Sequence, residues 1–143
     1  MHTLLWSSAM ELGHAGMDES HRLLFESLGR LARLADREFT PAWGALVQRL
    51  EADFREEEAL MERLAHPGLR AHREQHASML APLHRATGAL LRGDPAPARQ
   101  ALAQLPHWFV LHIVSMDLAL AEAAANPLPP ALRTASGPLH TYN

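Results

Sequence analysis

His72-Arg73-Glu74-Gln75-His76 sets two imidazoles four residues apart, which is one turn apart on one face of a helix. Upstream, Asp53-Phe54-Arg55-Glu56-Glu57 places two carboxylates at the same spacing. Downstream stands His112-Ile113-Val114-Ser115-Met116-Asp117, and near the start His21 closes Met17-Asp18-Glu19-Ser20-His21. These nitrogen and oxygen donors fall on what read as four successive helices. A bundle that points such groups inward is a recurring way to hold two transition-metal ions. The expected fold is therefore all-α, an antiparallel up-down-up-down four-helix bundle, and its expected content is a metal site.

The chain around these motifs fits that reading. Asp18 reads as an N-cap, and Leu23, Leu24, Leu28, Leu31, Leu34 and Ala35 recur at helical spacing to about Arg37. Thr40-Pro41 reads as the start of a second helix, which runs through Leu46, Leu50, Phe54, Leu60 and Met61 to about Leu64. His66-Pro67-Gly68 breaks the chain before a third helix from about Leu69 to Arg92, with Pro82 predicted to kink it. Gly93-Asp94-Pro95 ends that helix, and a fourth begins near Pro97 or Ala98 and continues to about Ala125, past Pro106. Residues 1–126 are expected to form one bundle domain with an arm over 1–16. Residues 127–143, rich in proline, read as a flexible tail. Short connections between long helices imply antiparallel neighbours.

Composition narrows the chemistry. At 143 residues and a net charge of −3, the chain reads as one soluble globular domain, without a basic patch for nucleic acid. Cysteine is absent, which excludes disulfides, thiolate catalysis, iron–sulfur clusters and Cys-ligated zinc. Every one of the 13 Lys+Arg residues is Arg, so no Schiff-base lysine exists. The N-terminus lacks a basic region followed by an apolar stretch, and no uninterrupted apolar run reaches the ~20 residues of a membrane span. Those features predict a cytoplasmic protein without a membrane partner. They leave its oligomeric state open.

The donors carry different weight. Asp53 and Glu57 repel each other at four-residue spacing. They read either as a solvated acidic face balanced by Arg49, Arg55 and Arg63, or as core-side carboxylates that want a cation. His112 sits among Phe109, Val110, Leu111, Ile113 and Val114, where a lone histidine is usually a satisfied core residue. Asp117 lies five residues on, roughly 140° around an α-helix, so spacing alone does not pair the two. Arg73, Glu74 and Gln75 are expected on the faces away from His72 and His76. His14, His107, Glu56 and Glu58 are further donors near enough in sequence to serve. No general base or nucleophile outside the metal site stands out, so no catalytic residue is assigned.

In order and spacing these elements resemble the hemerythrin family, particularly its bacterial single-domain members. The matching pieces are Met17 to His21, Phe54-Arg55-Glu56-Glu57-Glu58-Ala59-Leu60-Met61, His66-Pro67-Gly68, His72 to His76, and Trp108-Phe109-Val110-Leu111-His112-Ile113 ending at Asp117. The resemblance covers roughly residues 6 to 122. It implies a four-helix bundle around two non-haem iron ions, bridged by hydroxide or oxide, that binds dioxygen; manganese is a second metal such donors accept. By that likeness His72, His76 and His112 hold one iron, Glu57 and Asp117 bridge the pair, and His21 holds the second. Leu24, Trp108, Leu111 and Val114 would line the ligand pocket.

One position departs. Where the family has histidine before the phenylalanine of its second-helix motif, this chain has Asp53. Either Asp53 reaches the second iron or it leaves a position there open. As a ligand it would remove the last positive charge of a centre already balanced by Glu57, Asp117 and a hydroxide, and so favour the ferric state. The implied function is binding, storage or sensing of dioxygen or a related small ligand. Asp53 adds the alternative of an oxidase or peroxidase acting on dioxygen or peroxide. A third alternative is a redox- or oxygen-sensing interaction module.

Overall fold

The computed structural model describes residues 6–127. The first five positions of the expected arm, and the expected tail beyond Pro127, lie outside the described residues. After a short 3₁₀ turn at Ser8–Met10 come α1 (Ala15–Leu31), α2 (Asp36–Arg63), α3 (Leu69–Leu91) and α4 (Ala96–His112). A π-turn at Ile113–Asp117 then leads directly into α5 (Leu118–Ala125). α4, the π-turn and α5 are one rod, so the described residues form four rods and no strand. α2 packs on α1 and α3, and α4 packs on α3 and α1, the neighbour pattern of the expected bundle.

The helix starts differ from expectation for local reasons. His14, not Asp18, caps α1: its Nδ1 accepts the Met17 N–H at 3.1 Å. Asp18 sits in the first turn and reaches back, accepting the N–H groups of Leu12 at 2.7 Å and Gly13 at 3.2 Å. Gly13 turns there with φ +80°, a conformation that suits glycine. This carboxylate ties the arm to the helix it enters.

α1 stops at Leu31 rather than near Arg37, and Asp36 rather than Thr40 begins α2. Asp36 and Glu38 place negative charge in the first turn of α2, where the helix dipole favours it. Arg99 of α4 holds the corner, donating to the Leu34 carbonyl at 2.8 Å and to Asp36 at 2.7 Å. Leu34 continues the apolar spacing of α1 because it packs on the core from the corner. Pro41 is thus inside α2, at an exposed position, and Pro95 and Pro97 flank the start of α4.

Two apolar clusters fill the bundle. The larger includes Leu24, Phe25, Phe39, Trp43, Leu50, Phe54, Leu83, Phe109 and Ile113. Trp43 satisfies its indole N–H on Thr87 Oγ1 at 2.9 Å, which also joins α2 to α3. The smaller is Met17, Met61, Leu120 and Ala121. Four rods pass from one cluster to the other, and the candidate donors lie between the clusters or, for His112, at the edge of the larger one. His21 falls between Met17 and Leu24, and Glu57 between Phe54 and Met61. On the fourth rod Asp117 falls between Ile113 and Leu120. The polar site is therefore closed by hydrocarbon above and below. Ala96–Ala125 has the length and mean hydropathy, 1.4, of a membrane span. Its inner face buries Leu102, Leu105, Phe109, His112, Ile113 and Asp117 against the bundle.

Candidate metal centre

Each rod supplies the site by its own spacing. His21 comes from α1, Glu57 from α2, His72 and His76 from successive turns of α3, and His112 from the end of α4. All four histidines that face the centre, and Asp117, are buried. Their donor atoms form two groups that share one carboxylate: Glu57 with His72, His76 and His112, and Glu57 with His21 and Asp117.

The distances are short throughout. His72 Nε2 lies 3.1 Å from His112 Nε2, and His76 Nε2 lies 3.3 Å from it. Glu57 Oε2 is 3.3 Å from His72 Nε2 and 3.1 Å from His76 Nε2. Asp117 Oδ1 is 3.1 Å from both His72 Nε2 and His112 Nε2, while Oδ2 is 3.0 Å from His21 Nε2. Yet Glu57 Oε2 and both Asp117 oxygens have no aligned hydrogen-bond partner. Buried carboxylate oxygens left so are costly. Four imidazole Nε2 atoms and two carboxylates converging, with these buried carboxylate oxygens left unpartnered, form a donor set for cations. Imidazole with carboxylate suits iron and manganese. The residues fit the expected metal pair on this chemistry.

The π-turn explains a pairing that spacing did not. His112 and Asp117 are five residues apart, the interval at which a π-turn closes its hydrogen bonds. Leu118 N donates to the Ile113 carbonyl across it, and Ser115 Oγ donates to the Leu111 carbonyl at 2.5 Å. The wider turn brings Asp117 back under His112. π-turns inside helices occur often at functional sites, for this kind of reason.

Charges in the cluster stabilise one another. Burial favours neutral His21, but the Asp117 and Glu57 carboxylates outweigh it and lift its pKa to about 9. The same opposition lifts His72 to about 9 and raises His112. Burial likewise works against the charges of Glu57 and Asp117, and the surrounding imidazoles overcome it, holding both carboxyls below the ordinary range.

Other expected residues lie elsewhere. Asp53 stands outside both donor groups, with Oδ2 3.6 Å from Arg49 Nε and its pKa raised by burial. Asp53 instead lines a cavity of about 220 Å³ with His14, Ser20, Glu56, Glu57 and Arg63. Trp108 stacks on His112, ring centroids 4.7 Å apart and planes 13° from parallel. Leu111 is 69% exposed and Val114 46% exposed, so neither lines an enclosed pocket. Turning His112 inward turns Leu111 outward, because adjacent helical residues point roughly 100° apart. Leu24 is buried in the larger cluster and borders a cavity between α1 and α2 instead. His14 is engaged as a cap and His107 is exposed. Gln75, expected on an outer face, was missed: its Oε1 lies 2.8 Å from His112 Nδ1. Its place directly before His76 is the only sequence signal that could have flagged it.

A four-helix bundle with histidine and carboxylate donors converging from every rod defines a class of metal-binding bundle proteins. The hemerythrin HHE cation binding domain matches residues 12–124 of the chain. A bacteriohemerythrin of Ralstonia nicotianae (strain ATCC BAA-1114 / GMI1000) is 33% identical over 117 residues, covering 82% of this chain and 85% of that protein. No solved structure gives a significant match. The chain belongs to the hemerythrin family.

Proposed function

We propose that this protein holds two non-haem iron ions and binds dioxygen or a related small ligand at them. The observation that carries the reading is the sharing of Glu57 between two donor groups of unequal size. His72, His76 and His112 crowd the first position. The second has only His21 beside the carboxylates, which leaves room for an exogenous ligand. The similarity to a bacteriohemerythrin supports the same reading. A di-iron pair supplies the electrons that dioxygen takes up on binding. The chain's part is to hold and shield that pair: Phe54 stacks on His76 at 3.8 Å and Trp108 covers His112, so water is kept from the three-histidine side. Metal content per chain, with optical spectra before and after dithionite and air, tests this. Two irons and a spectrum that bleaches and returns are expected; one iron or none overturns it.

A second reading, turnover of peroxide at the same centre, is favoured by one observation. The cavity bordered by Asp53 carries the charged side chains of Glu56 and Arg63 on its wall and reaches Glu57, the shared carboxylate. It offers a small polar molecule an approach to the second position from the α1–α2 side. Steady-state consumption of hydrogen peroxide with a reductant tests it, and a rate no higher than that of free iron would remove it.

A further inference from the structure

His112 is among the most crowded histidines of the cluster, and its outer nitrogen is held. His112 Nε2 lies within 3.3 Å of His72, His76 and Asp117, so small rotations of this ring alter three approaches at once. It also sits at the last residue of α4, directly before the π-turn, where the regular backbone pattern changes. Trp108 lies flat against one face of the ring. On its edge, Nδ1 lies 2.8 Å from Gln75 Oε1, a contact that crosses from α4 to α3. By contrast, His21 Nδ1 is buried without a hydrogen-bond partner, and His76 Nδ1 has only the Glu58 carboxylate, 3.6 Å away and beyond hydrogen-bond reach.

We propose that Gln75 is a positioning residue for the metal centre, accepting the His112 Nδ1–H and thereby aiming His112 Nε2, as a free lone pair, at the donor cluster. A neutral imidazole carries one proton; the side-chain carbonyl of Gln75 can only accept, so the proton belongs on Nδ1. That choice leaves Nε2 unprotonated, the form a cation requires. The amide also sets how basic the ring is. Being uncharged, it strengthens His112 as a donor less than a carboxylate at the same place would. Gln75 thus fixes both the direction of the ring and the electron density it offers, while touching no ion itself.

The inference rests on the metal-centre reading, and Co²⁺ as a probe separates the two. Metal-free wild-type chain, Gln75→Leu and Gln75→Glu would be titrated with Co²⁺, followed by its visible bands, alongside unfolding of each metal-free protein. Q75L is expected to bind Co²⁺ about 10- to 100-fold more weakly, the usual effect of removing such a partner, with its metal-free unfolding midpoint near that of wild type. Q75E restores the affinity, and its iron-loaded form has a lower reduction potential than wild type. Failure of wild type to bind Co²⁺ overturns the metal reading and this inference together. Wild-type affinity in Q75L overturns the inference alone. If Q75L does not fold, an unchanged potential in Q75E overturns it.

Discussion

The histidines of this site hold protons until a cation displaces them. With His21 and His72 both lifted to about 9, the metal-free chain near neutral pH carries both imidazoles charged. Metal uptake should then release about two protons per chain, because ligating imidazoles must be neutral. Titration in weak buffer would read that release directly, and it should fade as the starting pH passes about 9. The same shifts fix the sign of stability. Unfolded imidazoles titrate near ~6.5, so the histidine–carboxylate attraction is fully present below that pH and is lost as pH rises through about 9. Urea unfolding of the metal-free protein should show a higher midpoint near ~pH 6 than near ~pH 10; equal midpoints would contradict the paired arrangement. At this scale the sequence was legible for His72 and His76, whose four-residue interval is the period of the helix itself. It was not legible for Asp53 or Gln75. Which of them faces the donors depends on packing against α1 and α4, and local spacing carries no record of that.

The element that assembles the site is the π-turn at Ile113–Asp117. Inserting one alanine after Ser115 should rotate Asp117 roughly 100° away from His112, and metal per chain should fall while helical circular dichroism persists. Deleting Ser115 should do the opposite. It leaves a four-residue interval, which an ordinary α-turn presents on one face, so metal is retained and the metal-free protein unfolds at a higher temperature. In an uninterrupted α-helix His112 and Asp117 would stand roughly 140° apart; nothing in the local spacing marks the π-turn that reunites them. A second element boundary is also strained. Ala65, after the end of α2, has φ 49°, and His66 N donates back to Met61 O at 2.9 Å to close the turn. Left-handed backbone costs an L-residue roughly 1–2 kcal/mol, partly offset by the extra chain entropy that glycine loses. Ala65→Gly should therefore raise the stability by about 0.5–1 kcal/mol in urea unfolding. Helix order and the breaks at His66-Pro67-Gly68 and Gly93-Asp94-Pro95 were plain from the sequence, because proline and glycine act locally. The corner at Leu34–Asp36 was not, because Arg99, far along the chain, holds it.

Taken whole, the described residues are four rods held by hydrocarbon at both ends and by imidazole and carboxylate donors of opposite charge in the middle. A cation that joins donors from every rod binds the folded state and little else. At about a thousand times its dissociation constant such an ion adds roughly 4 kcal/mol, which for a chain of this size corresponds to about 10–20 °C in Tm. Calorimetry of loaded and chelated protein would measure it, and a shift of a degree or two would show that the donors contribute little to folding. The arrangement of aromatic rings has a separate consequence. Of the three tryptophans, Trp108 lies against His112 in the three-histidine group, and Trp6 lies 6.3 Å from His21 in the other. Trp43, tied to Thr87 within the larger apolar cluster, touches neither. Each half of the centre thus has its own fluorophore, with a third as internal reference. Emission from Trp6→Phe and Trp108→Phe variants, followed as a paramagnetic ion is added, would report the order in which the two halves fill.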